Sequence, residues 1–271
     1  MGPHEAGRRR AARYRRSVLA AALVPDTVLL LPGVAGRGPD EPVLVALRAA
    51  AAAVVADAVA GAVRVVVVAP GRADRAVVGD VALGAAAAGV PDALLREPVP
   101  TVRLDPPGVG PSTGWGAVGS GTVVGLRLAL AAGVPAHRLH ALEVAPGPVP
   151  PLRATGAALG EGTGTVLVVV GSGSARHGDD APLPGDARAS AVDAALLAAL
   201  QQGGAAARSA LAALPEPTAT ALAVTGWAPW QVLVGALDAG SGDPADDRTD
   251  VRHATVWRGA AHAAALWRVA S

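Results

Sequence analysis

Five consecutive apolar residues, Val166-Leu167-Val168-Val169-Val170, run without interruption into Gly171-Ser172-Gly173-Ser174. A strand with one wet face alternates polar and apolar residues, so this unbroken run predicts a strand buried on both faces of a sheet. The small residues after it let the backbone turn sharply or approach a ligand. Arg176, His177, Asp179 and Asp180 follow, then a turn at Pro182, Pro184 and Gly185. Asp186 is placed to cap the alanine-rich helix behind it. Ligands of open α/β sheets bind where strands end and loops leave, which makes this stretch the first candidate site.

The same signature recurs. Val63 to Ala69 ends in Pro70-Gly71, with Arg72, Asp74 and Arg75 in the following loop. Val18 to Val24 ends at Pro25-Asp26, and Val28 to Leu31 resumes as core. Helical segments are predicted from Asp40 or Glu41-Pro42 to about Val59, from about Gly121 to Ala132, and from Ala187 to about Leu200. Two more are predicted over Ala205–Ala213 and from Gly226 to Leu237. Further strands are expected at Val99–Leu104 and Leu139–Val144, and two in the tail at Ala254–Trp257 and Ala264–Val269. Gly84 to Pro98 reads as loop. Alternating strand and helix predicts one α/β domain over residues 17–271.

The core of such a domain must be made of Ala, Val and Leu, because the chain has no Phe, one Tyr and one Met. Lys, Ile and Asn are also missing, a bias of GC-rich coding that says little about function. A net charge of +1 gives no electrostatic case for nucleic acid or an anionic surface. Without cysteine there are no disulfides, thiolate nucleophiles or zinc–cysteine sites. A metal would need His and carboxylate ligands, which suits Fe(II), Mn(II) or Mg(II).

Residues 1–16 carry six arginines and predict a disordered basic extension; an export signal is the alternative, opposed by Pro25 and Asp26. No stretch reads as a membrane span, since the alanine run Ala49–Ala56 is bounded by Arg48 and Asp57. The expected location is the cytoplasm. Gly114-Trp115-Gly116-Ala117-Val118-Gly119 matches G-x-G-x-x-G but follows a proline-glycine loop where a dinucleotide site needs a strand; it reads as a glycine-rich helix start. His137 and His140 stand apart from other ligands, and the aspartates at 243, 246, 247 and 250 read as a solvated loop.

Three segments carry a resemblance: Ala20–Pro25 with Leu29–Val34, the stretch Gly171–Arg188, and Ala228-Pro229-Trp230-Gln231-Val232-Leu233. In order and spacing they resemble the actinobacterial proteins of the class III extradiol ring-cleavage dioxygenase-like family, from about Val18 to the C-terminus. The resemblance implies a single-domain α/β sandwich with a central mostly parallel or mixed sheet flanked by helices. It implies enzymes that hold Fe(II) with two histidines and a glutamate, bind a catecholate beside dioxygen, and move protons with a nearby histidine. Partner chains or homo-oligomers are common among them.

Carried onto this chain, Asp26 stands where the first ligand histidine is expected, and Asp74 is what the loop after strand two offers for the second. Glu143 and Glu161 are the candidates for the third ligand. His177 takes the place of the acid–base histidine, with Ser172, Ser174, Arg176 and Asp179 as substrate-binding candidates. Three functions remain open on the sequence. One is Fe(II)-dependent opening of a small aromatic substrate. Another is a non-catalytic descendant that binds a small molecule or a protein through Gly171–Asp180. The last is an anion cradle built from Gly171–Ser174 and Arg176, for which the helix begins late. No G-x-S-x-G elbow supports a serine hydrolase.

Overall fold

In the parallel core of the sheet, successive valines point to opposite sides, and each side has its own helical layer. The computed structural model describes residues 18–36, 38–114, 116–161, 164–240 and 243–269; the basic extension and Trp115 lie outside them. The main sheet has eight strands in the order β6-β3-β7-β2-β8-β1-β10-β9. Its centre is β7 (Leu139–Val144), β2 (Arg64–Pro70), β8 (Thr165–Val170) and β1 (Val18–Val24), all parallel. On one side β10 (Ala260–Arg268) and β9 (Arg248–Trp257) extend the sheet antiparallel. On the other, β3 (Arg75–Val77) is antiparallel to β7 and pairs with β6 (Thr113–Gly114). A separate two-stranded ladder joins β4 (Gly79–Ala82) to β5 (Thr101–Leu104).

Val65, Val67, Val166, Val168 and Val170 face α1 (Pro42–Val59) and α2 (Ser120–Ala131). Val66, Val68, Leu167 and Val169 face the opposite layer. That layer contains α3 (Val149–Gly160), α4 (Arg188–Gln202), α5 (Gly204–Ala213) and α7 (Trp227–Asp238), with α6 (Glu216–Ala221) beside it. The fold is an α/β sandwich with a mixed sheet, as the alternation of apolar segments predicts.

Differences from the sequence reading have local causes. Val28–Leu30 is a 3-10 turn rather than strand, closed by Thr27 Oγ1 accepting from Leu29 N. Arg48 ties that turn to α1 by donating Nε to Leu29 O at 2.8 Å and Nη2 to Leu31 O at 3.2 Å. Asp40 pairs with Arg48 instead of capping α1, whose N-cap is Glu41. By length and apolarity α1 alone could cross a membrane. Here Leu44, Leu47, Ala51, Val54, Val55 and Ala58 are buried on the inner layer, and Asp57 pairs with Arg252 of β9. The tail strands are longer than predicted, because Arg248, Asp250 and Arg252 alternate outward along the edge strand β9.

The helix α3 has no counterpart in the sequence reading. Its Pro150 and Pro151 fall in the first turn, where a missing N–H costs nothing, and its glycines look like breakers. Those glycines serve the contact with α7. A Cβ on Gly156 would lie 1.9 Å from Val232 O, and one on Gly235 would lie 2.1 Å from Arg153 O. Backbone meets backbone at this crossing, so nothing flexible can yield. Gly235→Ala should therefore destabilise the fold by about 1–3 kcal/mol, as overpacked cores do. Urea denaturation reads this directly; an unchanged midpoint would mean that the two helices do not cross this closely.

Candidate functional site

Sheet register assembles the polar residues at the carboxyl end of the central strands. Val24 of β1 is paired with Val170 of β8, and Leu23 with Ala265 of β10. Two residues beyond Val24, the same registers bring Asp26 level with Ser172 on one side and His262 on the other. Ser172 Oγ donates to Asp26 Oδ1 at 2.6 Å and lies 3.2 Å from His262 Nδ1. Ser172 and His262 are both buried. Burial lowers the pKa of His262 from its usual 6.5, against the opposing pull of the Asp26 charge.

Past Gly171 the chain leaves β8 and docks on the β9–β10 hairpin. Gly173 N donates to Ala261 O, Ala261 N to Ser174 O, and His177 N to Gly259 O. Glycine is required at two close approaches. A Cβ on Gly171 would come 2.3 Å from Gly226 Cα, and one on Gly173 2.5 Å from Asp193 Oδ1. This docking sets His177 over the first turns of α4. Its Nε2 is 2.6 Å from Asp193 Oδ2, and its Nδ1 is 3.4 Å from Ser190 Oγ. A carboxylate only accepts, so Nε2 carries the proton and Nδ1 faces Ser190 as acceptor. Ser174 N also donates to Asp193, at 3.1 Å to Oδ2, which fixes the carboxylate from the loop side.

His177, Ser190 and Asp193 stand in the wall of a cavity of about 340 Å³ between α4 and the β9–β10 hairpin. The rest of the wall is mainly apolar, with Leu23, Leu196, Leu200, Leu211 and Trp230 prominent. His262 also belongs to the wall. A mostly apolar chamber with a few convergent polar groups is the usual form of a small-molecule site.

The expected substrate-binding residues are dispersed by the fold. Ser172 is committed to Asp26 and His262. Ser174 is buried, donates Oγ to Leu222 O at 2.8 Å and accepts from Arg176 N. Arg176 braces its own loop through Nη1 to Pro184 O at 2.9 Å. Asp179 is exposed and stands outside the cavity wall. Asp186, the predicted cap, accepts from Arg188 N at 2.9 Å, and the neighbouring guanidinium holds its carboxyl down to about 2. Asp193, Ser190 and His262 were not singled out from the sequence. Each is a lone polar residue in an alanine-rich segment, a pattern that also describes a solvated helix face.

The iron donor set fares poorly on the same geometry. Asp26 is engaged by a serine hydroxyl, and Asp74 is an exposed residue whose Oδ1 accepts from Ala145 N at 2.8 Å. Glu143 is buried, pairs with Arg75, and accepts from Gly119 N at 2.6 Å and Thr122 Oγ1 at 2.8 Å. Glu161 ends α3 as its C-cap, with its N–H bonded to Ala158 O. Among the described residues no group of three or more His, Asp or Glu is placed to hold an ion. The residues present therefore do not fit the iron of two histidines and a glutamate that the resemblance implies.

A buried histidine with a depressed pKa makes stability depend on pH. The unfolded chain takes up the proton first as pH falls below 6.5, while the folded chain resists it. Stability is thus full above 6.5 and declines as pH falls from there towards the folded pKa. Urea midpoints between pH 8 and pH 5 should show this decline, with a smaller slope in His262→Gln; equal slopes would contradict the burial of an ionisable ring.

No protein-family model matches the chain, and no curated protein matches it significantly. Among solved structures, the crystal structure of an uncharacterized protein from Escherichia coli K12 superposes with a TM-score of 0.48 at 16% identity. The alignment covers 92% of this chain and 99% of that one.

Proposed function

We propose that this protein is a class III extradiol dioxygenase-like α/β protein that binds a small hydroxylated aromatic molecule in the cavity beside His177, without the family's iron. The observation that carries the reading is the His177–Asp193 pair, 2.6 Å apart, in the wall of an otherwise apolar chamber. Leucines and Trp230 favour a flat apolar body, and the polar corner favours a hydroxyl on it. The corner can also move a proton. Asp193 holds the Nε2–H, which orients the ring and stabilises it if Nδ1 is protonated by a ligand hydroxyl, directly or through Ser190. Such a group is what an acid–base step on a phenol or a neighbouring carbonyl requires.

The second reading, Fe(II)-dependent ring opening, draws its support from the resemblance and from Asp26 at the end of the first strand. The hydrogen bond from Ser172 to Asp26 weighs against it. A cytoplasmic location goes with either reading. It is supported by the use of α1, the apolar helix, as a layer of the core.

Two measurements test these readings. Catechol or phenol should quench tryptophan fluorescence saturably through Trp230, and Ala194→Trp, which fills the chamber from α4, should weaken binding by at least roughly tenfold because the ring's apolar burial is lost. Saturable binding that ignores Ala194→Trp would place the site elsewhere. After anaerobic loading with Fe(II) and desalting, iron should be well below one per chain. Near-stoichiometric iron that disappears in Asp26→Ala would overturn the iron-free reading, and catechol cleavage would then be the assay to run.

A further inference from the structure

Asp26, Ser172 and His262 are unrelated in sequence, yet they share one level at the ends of three adjacent strands. The serine hydroxyl has a single proton. At 2.6 Å from a carboxylate oxygen, which can only accept, that proton belongs to the bond with Asp26. The 3.2 Å contact with His262 Nδ1 then has only one consistent polarity: Nδ1–H donates to the Oγ lone pair. The ring's other nitrogen, Nε2, has no hydrogen-bond partner among the described residues and is not among the buried polar atoms left unsatisfied, so it keeps contact with the solvent-accessible space.

We propose that Asp26, Ser172 and His262 form a fixed hydrogen-bond relay that holds His262 in the Nδ1–H form and presents Nε2 as an acceptor for the hydroxyl of a small, mainly apolar ring. The proposal rests on the reading of the neighbouring cavity as a small-molecule site. It gives that site a second polar pole besides His177, with a complementary role. His177 is anchored through Nε2 and offers Nδ1, whereas His262 is anchored through Nδ1 and offers Nε2. Asp26, carried over as a metal ligand, becomes a positioning residue that acts through Ser172. A ligand with one hydroxyl would satisfy one pole, and a ring with two would satisfy both if its hydroxyls span them. Ethers and esters of the same ring offer no proton and should bind less well.

The test uses the full chain labelled with nitrogen-15 in histidine, with His262→Gln to assign the resonance. Long-range nitrogen–proton spectra near pH 7 should show His262 as the Nδ1–H tautomer. Ser172→Ala removes the acceptor for that proton and should restore a mixture containing the Nε2–H form. Phenol should then shift the His262 Nε2 resonance saturably, anisole should shift it far less, and His262→Gln should weaken phenol binding by roughly three- to tenfold, the worth of one hydrogen bond. An Nε2–H tautomer in the unsubstituted protein would overturn the relay whether or not phenol binds. Quenching of Trp230 by phenol with Nε2 unmoved would overturn the acceptor role and leave the cavity reading standing. No phenol binding by either signal would overturn the acceptor role together with the cavity reading.

Discussion

The registers of β1, parallel to β8 and antiparallel to β10, are the constraint on which the site depends. Strand pairing fixes side chains in rows, and a slip of one residue would turn each side chain to the other face. Because Val24 is level with Val170 and Leu23 with Ala265, Asp26, Ser172 and His262 arrive together without any long-range search. The backbone bonds of Gly173, Ser174 and His177 to Ala261 and Gly259 extend the same logic beyond the last pair. They make the loop a rigid continuation of the sheet, and His177 is held over α4 by the same hydrogen bonding that holds the hairpin.

The cavity follows from what the chain uses to fill space. Without Phe and with alanine as the commonest filler, close packing is reached by moving backbones together. Gly125 shows this in α2, where a Cβ would meet Val67 Cγ1 at 2.5 Å, and Gly156 and Gly235 show it between α3 and α7. That solution works where two helices or a helix and a strand can approach freely. Between α4 and the hairpin the approach is stopped by the docked loop and the His177–Asp193 pair. The alanines there, Ala194, Ala261, Ala263 and Ala265, are too small to fill the remaining gap. The chamber is thus the place where small residues and a fixed separation coincide.

This also explains which parts were legible in the sequence. Valine runs mark a doubly buried strand by composition alone, so Val65–Ala69, Leu139–Val144 and Val166–Val170 could be read directly. Helix α3 could not, because Gly156 and Gly160 lower local helix propensity for the sake of a contact that only the tertiary structure shows. The polar loop at His177 was visible as a cluster. Its partner Asp193 was hidden because a single acid in Ala191-Val192-Asp193-Ala194-Ala195 is what an exposed helix face also looks like. His262 was hidden more deeply, since its role depends on the register of the last strand against the first.

Asp26 is where the resemblance and the geometry meet. At the end of the first strand, the resemblance asks for an imidazole that can bind a cation. A carboxylate there, facing a hydroxyl 2.6 Å away, is already satisfied by a neutral donor. Recruiting it to a metal would cost that hydrogen bond and would leave the Ser172 proton to turn towards His262, whose Nδ1 would then have to accept. The ring would change tautomer, and Nε2 would switch from acceptor to donor. A relay and a metal ligand at Asp26 therefore make opposite demands on His262. The side chains as placed, with Ser172 bonded more closely to Asp26 than to His262, meet the demand of the relay.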